Sequence, residues 1–574
     1  MKFKLKSRYK WTIFSLILLL ISSLMIAFKV NLPFRPLIMN YESYLSEPGK
    51  EELEKDFDYR EFGDVSEFTK AIEDKRTIGG VGSDFQIARL VQKNLIQKID
   101  WSKLFQNSQN EKLKKGFKTP ANYYSLTKKE KEVVLARKRR TFESLIRPEV
   151  VSHIDEYDKF LVDEKGNKID SDKDGIADRF WEFFVPYYTQ DKVIAYTVGD
   201  YKNKNNEIVE IKPELLKNEK YRENKAFIQE KGIKFLDQTV AEIGKTLREY
   251  GYKYFEWTEA MRDNLLLGSE KIGNYTGIVT KDNYKQQIDD FVSYIKDITN
   301  KNFADLRFNY YSSSGLDLTT NLIDIEKKPE VGFIYNGDAL DAHYSKDNFD
   351  WLKDGKTINI IRPKNNLTLL DGWILLKDIS SDVVDKFYNS LYNSVYKGED
   401  LSEDQMFKMA LEKARYKDPE DDQIKSGYYL DYEKLPNLAN FDFINYTPSF
   451  TNTFEFFKKT YFNDNVETVN ALDDNNVETG DEIDLIKDKN GIVAANEATP
   501  TIAFEQLAAT AEERASLFGL NIYLSQQPKQ TIYGQRPEDF PNDTTYDIHY
   551  SFIAPVDENL DSNIRTYYII KTKS

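Results

Sequence analysis

Cysteine is absent from the 574 residues, and histidine occurs only three times. The first absence excludes disulfides, a thiol nucleophile, a thiolate metal site and a lipid-modified N-terminal cysteine. The second argues against zinc chemistry and histidine-based triads, because His153, His343 and His549 are far apart and form no H-E-x-x-H motif. Positive charge is also short: 80 Lys and Arg face 95 Asp and Glu, a net charge of −15. That balance argues against nucleic acid and suits a cationic ligand or plain solubility. No complete nucleotide-binding loop exists either. Gly244, Lys245 and Thr246 imitate the end of one, but Thr239 stands where its first glycine belongs, and residues 236–250 carry helical periodicity.

One long apolar run is present. Residues 11–28 carry no charge, and Lys2, Lys4, Lys6, Arg8 and Lys10 precede them. Such a run just spans a bilayer, and the basic flank predicts a cytoplasmic N-terminus. The S-S-L-M-I-A stretch at 22–27 is a poor cleavage site, so residues 1–30 read as an uncleaved anchor with an extracellular body. That body is long enough for two or more domains. Aromatics reach 14%, with 37 Tyr, and aromatic faces bind cations, sugars and apolar partners.

The pattern beyond residue 35 alternates strands and helices, which predicts an α/β fold with ligands held beyond strand ends. Strands are expected near 36–39, 77–83, 180–186, 192–198, 330–335, 357–362 and 371–377. Helices are expected at 85–93, within the charged stretch 106–160, at 236–250 and at 501–518. Residues 203–225 read as a linker or surface excursion, 462–490 as an acidic exposed loop, and 548–555 with 565–573 as a terminal hairpin.

Six motifs occur in an order that resembles the bacterial spermidine/putrescine-binding proteins, the receptors of polyamine ABC importers. The most specific is V-G-S-D-F-Q-I-A-R-L-V-Q-K-N-L-I-Q-K-I-D-W-S-K-L over 81–104. The others are N-Y-E-S-Y at 40–44, T-E-A-M-R-D at 258–263, G-F-I-Y-N-G at 332–337, L-L-D at 369–371 and N-Y-T-P at 445–448. The resemblance implies a two-lobed, hinged, periplasmic-binding-protein-like fold (type II) closing on a ligand. Lobe one would be 36–199 plus 370–450, and lobe two 200–369 plus 451–574.

The chemistry of a polyamine, methylenes bearing separated ammonium groups, asks for a carboxylate at each end and aromatic walls between. With the resemblance, this predicts Asp371 and Asp263 as the acids, one per lobe. Tyr41, Tyr44, Phe85, Tyr335 and Tyr446 would form the box, with Ser83 as a hydrogen-bonding partner. Glu42 and Glu259 stand one position from acids of the family pattern, which has Ser43 and Ala260 here. Tyr335 and Leu369 replace tryptophans, so aromatic area is lower.

A second constellation is D-S-D-K-D-G-I-A-D over 170–178. Its spacing fits calcium ligation by Asp170, Asp172, Asp174, the Ile176 carbonyl and Asp178, with Gly175 at the turn. Trp181 occupies the place of the closing acid, and Glu182 follows it. Any such ion would be structural, and no other cofactor is expected.

The reading that follows is a non-enzymatic receptor delivering a polyamine to permease subunits. Two alternatives are a surface adhesin reusing the fold and a receptor for another solute. A hydrolase with paired carboxylates lacks an ordered nucleophile or water-activating metal in the sequence.

Overall fold

A computed structural model describes residues 35–163, 165–203, 205–233, 235, 238–349, 351–418, 421–461, 466–488, 491–495 and 548–573. The expected anchor and the helix expected at 501–518 lie outside these residues. Among the described residues no helix is long and apolar enough to cross a membrane.

In chain order the strands are β1 (Leu37–Tyr41), β2 (Asp58–Phe62), β3 (Gly79–Ser83), β4 (Val185–Gln190), β5 (Lys192–Thr197), β6 (Asp200–Lys202) and β7 (Ile208–Glu210). They continue as β8 (Phe255–Thr258), β9 (Asn309–Ser312), β10 (Val331–Tyr335), β11 (Ile358–Ile361), β12 (Asn365–Leu367) and β13 (Leu369–Leu375). The last are β14 (Leu411–Lys417), β15 (Ile424–Leu430), β16 (Thr447–Pro448), β17 (Val466–Leu472), β18 (Glu478–Asp488), β19 (Gly491–Ile492) and β20 (His549–Ser551). Two mixed sheets run in the orders β16-β4-β13-β3-β1-β2 and β11-β5-β10-β8-β9, and a five-stranded antiparallel sheet in the order β15-β14-β17-β18-β19.

The sequence G-G-V-G-S makes β3 a strand that neighbours can approach closely, β1 on one side and β13 on the other. At Gly80, with φ +153°, a Cβ would lie 1.9 Å from the Met39 carbonyl oxygen, so only glycine fits. A large core runs from the first sheet, around Phe68, Ile87 and Trp373, to one face of the second, where Val193, Ala195 and Ile334 point. Their alternating neighbours Ile194, Tyr196 and Phe333 face a separate core with Trp257, Phe291 and Ile295.

The chain passes between the sheets at Asp191, which separates β4 from β5, and again along residues 362–368. The expected lobe boundary after 199 therefore shifts, because β5 hydrogen-bonds to β10 and β11 of the second sheet. The division after 450 shifts as well. Helix Thr451–Thr460 packs on β16 and on helix Glu403–Ala410, beside the first sheet. Within 558–573, Leu560, Ile564 and Tyr568 enter the core of the second sheet, while Glu558 and Asp561 pair with Lys93 and Arg89 beside the first.

Three local expectations are corrected. Residues 565–573 lie in helix Glu558–Lys573, because burial follows Leu560, Ile564 and Tyr568 at four-residue spacing and overrides the β-branched run. Only β20 of the expected hairpin is a strand, and it pairs in parallel with β12. The acidic loop at 462–490 contains the antiparallel pair β17 and β18. Its turn is stabilised by Asp473 Oδ1, which accepts from the backbone N–H of Asn475 and Val477. The stretch at 203–225 includes β7, which pairs with β6 just before it, and the start of helix Glu219–Lys231, capped by Asn218.

Where the sheets meet, Asp191 is fully buried, and its Oδ2 accepts from Arg362 Nε at 2.9 Å, Asn366 Nδ2 at 3.3 Å and Tyr550 Oη at 3.3 Å. Burial pushes this carboxyl up and the guanidinium pulls it back. Removing one partner of such a pair strands a buried charge, so Arg362→Ala is expected to cost about 3–5 kcal/mol. Urea unfolding of the two chains checks it, and a loss below about 1 kcal/mol would show that the pair is not an anchor.

Candidate functional site

The β13–β3 register sets Ser83 opposite Asp371, and a bulge between Leu370 and Gly372 interrupts the pairing of β13 with β4 at that aspartate. The Asp371 side chain is 2% exposed. Its Oδ1 accepts from Ser83 Oγ at 2.7 Å, and its Oδ2 accepts from Tyr44 Oη at 2.9 Å and Gln190 Nε2 at 2.6 Å. Tyr41 Oη lies 2.9 Å from Ser83 Oγ, extending the network. No Lys, Arg or His pairs with Asp371 among the described residues. Burial pushes its carboxyl up to about 7; the Ser83 and Tyr44 hydroxyls oppose this, while Asp84 and Asp263 reinforce it.

The second acid, Asp263, sits in the first turn of helix Met261–Lys271. Its Oδ2 accepts from Tyr335 Oη at 2.6 Å and lies 3.4 Å from Lys192 Nζ. The same ammonium stands 3.4 Å from the centroid of the Tyr335 ring. Burial lowers Lys192 to about 8, against the pull of Asp263 and Asp338. A small cavity of about 40 Å³ adjoins this pair, lined in part by Trp257, Tyr275 and Leu367.

Between the two acids runs a chain of tyrosine rings. Centroids are 5.8 Å apart for Tyr41 and Tyr44, 5.6 Å for Tyr44 and Tyr446, and 6.4 Å for Tyr446 and Tyr335. Burial raises all four phenols above their ordinary value, so they remain neutral donors. Tyr446 Oη donates to Asp338 Oδ1 at 2.7 Å, and burial pushes that carboxyl up to about 6. Phe85 packs beside Leu369 and Tyr335, with the Arg262 guanidinium 5.7 Å from its ring.

The structure thus gathers Asp371, Asp263, Tyr335, Tyr44, Tyr41, Ser83, Phe85 and Tyr446 in one region. It does not bring Glu42 or Glu259 there. Glu42 is exposed at the β1 exit beside Gly63, and Glu259 pairs with Lys573 at 2.7 Å. Both follow strand ends, where one step in sequence turns a side chain from the cleft to solvent. Sequence reasoning missed Gln190, Lys192 and Asp338. The Q-D-K run between two strands was the available signal for the first two, and the N-G-D opening of helix Asn336–His343 for the third.

In the acidic loop, carboxylate oxygens of Asp170, Asp172 and Asp174 lie within 4.8 Å of one another. The loop is also tied internally. Asp170 accepts from the backbone N–H of Asp174 and Gly175, and Asp174 accepts from the Ile176 N–H and from Tyr123 Oη. Asp178 stands apart, its Oδ1 2.6 Å from Lys98 Nζ, which also meets Asp172 at 3.2 Å and Glu182 at 3.4 Å. A lysine thus neutralises one side of the loop. Trp181, at the closing position, is part of the core.

No curated protein sequence matches this chain. Among solved structures, a putative spermidine/putrescine ABC transporter from Listeria monocytogenes is similar at 14% identity, TM-score 0.35, covering 62% of this chain and 78% of that one. The spermidine/putrescine substrate-binding protein PotD from Streptococcus pneumoniae, in complex with calcium and HEPES, gives 14%, 0.35, 64% and 81%. The acarbose-binding GacH receptor of Streptomyces glaucescens gives 8%, 0.36, 74% and 82%. Likenesses this distant say nothing about the ligand. A family model described as hypothetical lipoprotein (MG045 family) matches residues 5–474, most of the chain, and the protein belongs to that family.

Proposed function

We propose that this chain is the non-enzymatic receptor of an ABC importer and that its ligand is an organic cation of the polyamine class. The observation that supports this most is Asp371, a buried carboxyl with three hydrogen-bond donors, tyrosine walls and no cationic partner among the described residues. A buried acid in that state has its lowest free energy when a cation ionises and pairs it, and an ammonium also gains from the ring faces. Elements of both sheets reach the ligand region, so a cation held there would draw the two bodies together about the crossings at Asp191 and 362–368. Permease subunits would receive the ligand. With no cysteine for lipid attachment, the run at 11–28 would hold the body at the outer membrane–water interface.

Calorimetric titration of the full-length chain in detergent with putrescine and spermidine is expected to show saturable binding. Asp371→Asn should weaken it by about 2–5 kcal/mol, roughly 30-fold or more. Absence of binding by any polyamine sinks the ligand assignment.

The Asp371 carboxyl also makes a pH prediction. Its folded value near 7 exceeds the unfolded value of about 3.9, so the native state holds more protons between them. Its contribution to stability is therefore full below pH ~4 and is lost as pH rises through ~7. Cation binding near pH 6.5 should release a proton, seen as a dependence of the binding heat on buffer ionisation enthalpy. Asp371→Asn should flatten both effects, and unchanged slopes would assign the proton to another group.

For the loop we propose structural calcium at Asp170, Asp172 and Asp174, with the Ile176 carbonyl and Asp178 completing the set once Lys98 withdraws. Calcium at ~100 times its Kd would then stabilise the fold by about 2.7 kcal/mol. Thermal melts with calcium and with chelator check it. Identical melting temperatures would mean that Lys98 alone neutralises the loop.

A further inference from the structure

The two acids of the cleft are in opposite states. Asp371 has donors but, among the described residues, no cationic partner, whereas Asp263 already has one from within the chain. Lys192 is the first residue of β5, and its side chain is 18% exposed. Its ammonium meets one carboxylate at 3.4 Å and one tyrosine face at 3.4 Å, and Tyr335 is held in that pose by its own bond to Asp263. A carboxylate, a ring face and an apolar surround form the recognition set for a ligand's ammonium. Here the set is filled by a tethered one.

Resting on the reading of Asp371 as a cation site, we propose that Lys192 occupies the second ammonium subsite and limits the ligand's useful charge to one centre. A monoamine and a diamine of equal length then gain about the same from the site. The second ammonium of the diamine finds Asp263 already neutralised, and its approach to Lys192 is repulsive. Lys192 is thus a specificity-determining residue that withholds the gain a second ammonium would otherwise bring. The arrangement is also releasable. Burial weakens the lysine's hold on its proton, and its Nζ makes a single carboxylate contact, so a side-chain rotation would vacate the subsite.

The test compares putrescine, spermidine and n-butylamine on the full-length chain, on Lys192→Met, on Lys192→Gln and on Lys192→Met combined with Asp263→Asn, each with a melting curve. The wild type should bind putrescine and butylamine within about threefold of each other. Lys192→Met should bind putrescine and spermidine about tenfold tighter or more, with butylamine changed by less than about threefold. Combining it with Asp263→Asn should abolish the gain, because the vacated subsite then has no carboxylate to offer. Lys192→Gln, uncharged and polar, should give the same gain and keeps the test decisive where Lys192→Met does not fold. No gain in either folded variant, or a gain that survives Asp263→Asn, overturns the role of Lys192 while Asp371 still binds amines. If no chain binds any of the three amines, the reading of Asp371 has failed, and this proposal with it.

Discussion

The geometry of the cleft depends on how one buried aspartate is held. Asp191 is the single residue between β4 of the first sheet and β5 of the second, and its carboxylate is pinned by Arg362, Asn366 and Tyr550. Its backbone is also tied, since its N–H donates to Asn336 Oδ1 and its carbonyl accepts from the Asn336 N–H. Fixing Asp191 inward sends its neighbours to the opposite side of the extended chain. Gln190 then reaches Asp371, and Lys192 reaches Asp263. A crossing between two sheets therefore delivers one polar group to each acid of the cleft.

Charge balance within this region follows from who partners whom. Asp84, next to Ser83, accepts from the Leu370 N–H and bonds to His153 Nε2 at 2.6 Å. Asp263 meets Lys192, and Asp191 meets Arg362. Asp371 has no Lys, Arg or His beside it among the described residues, only hydroxyl and amide donors. A carboxyl in that state is expensive to ionise, so its position at the head of a tyrosine-lined wall is an arrangement that a cation would complete. The acidic loop at 170–178 is a contrasting case, because Lys98 already offsets part of its charge and backbone N–H groups satisfy much of the rest.

Legibility in the sequence varied with the source of the signal. The strand at 79–83 and the helix after it were readable because a glycine-rich run ends in Ser83 and an apolar period of a helix begins at once. Helix Val240–Glu249 was readable from the helical spacing of apolar residues over 236–250, of which Val240, Ile243 and Leu247 are buried. The β17–β18 pair was hidden because its strands are mostly polar on both faces, leaving acidic composition as the dominant pattern. The terminal helix was misread because local β-propensity in T-Y-Y-I-I-K-T competes with a burial pattern that only the second core reveals.

The sequence by itself determined the alternation of strands and helices, the exclusion of thiol chemistry, and the aspartates and tyrosines from which a cation site would be built. These depend on residue type and short spacing, which local chemistry decides. Only the tertiary structure decided which acid, among the described residues, is left without a cationic partner. Lys192 and Asp263 are 71 residues apart, and Ser83 and Asp371 are 288 apart. Pairings over such separations are set by strand register and by the crossing at Asp191, where charge is balanced by proximity in space and not by order along the chain.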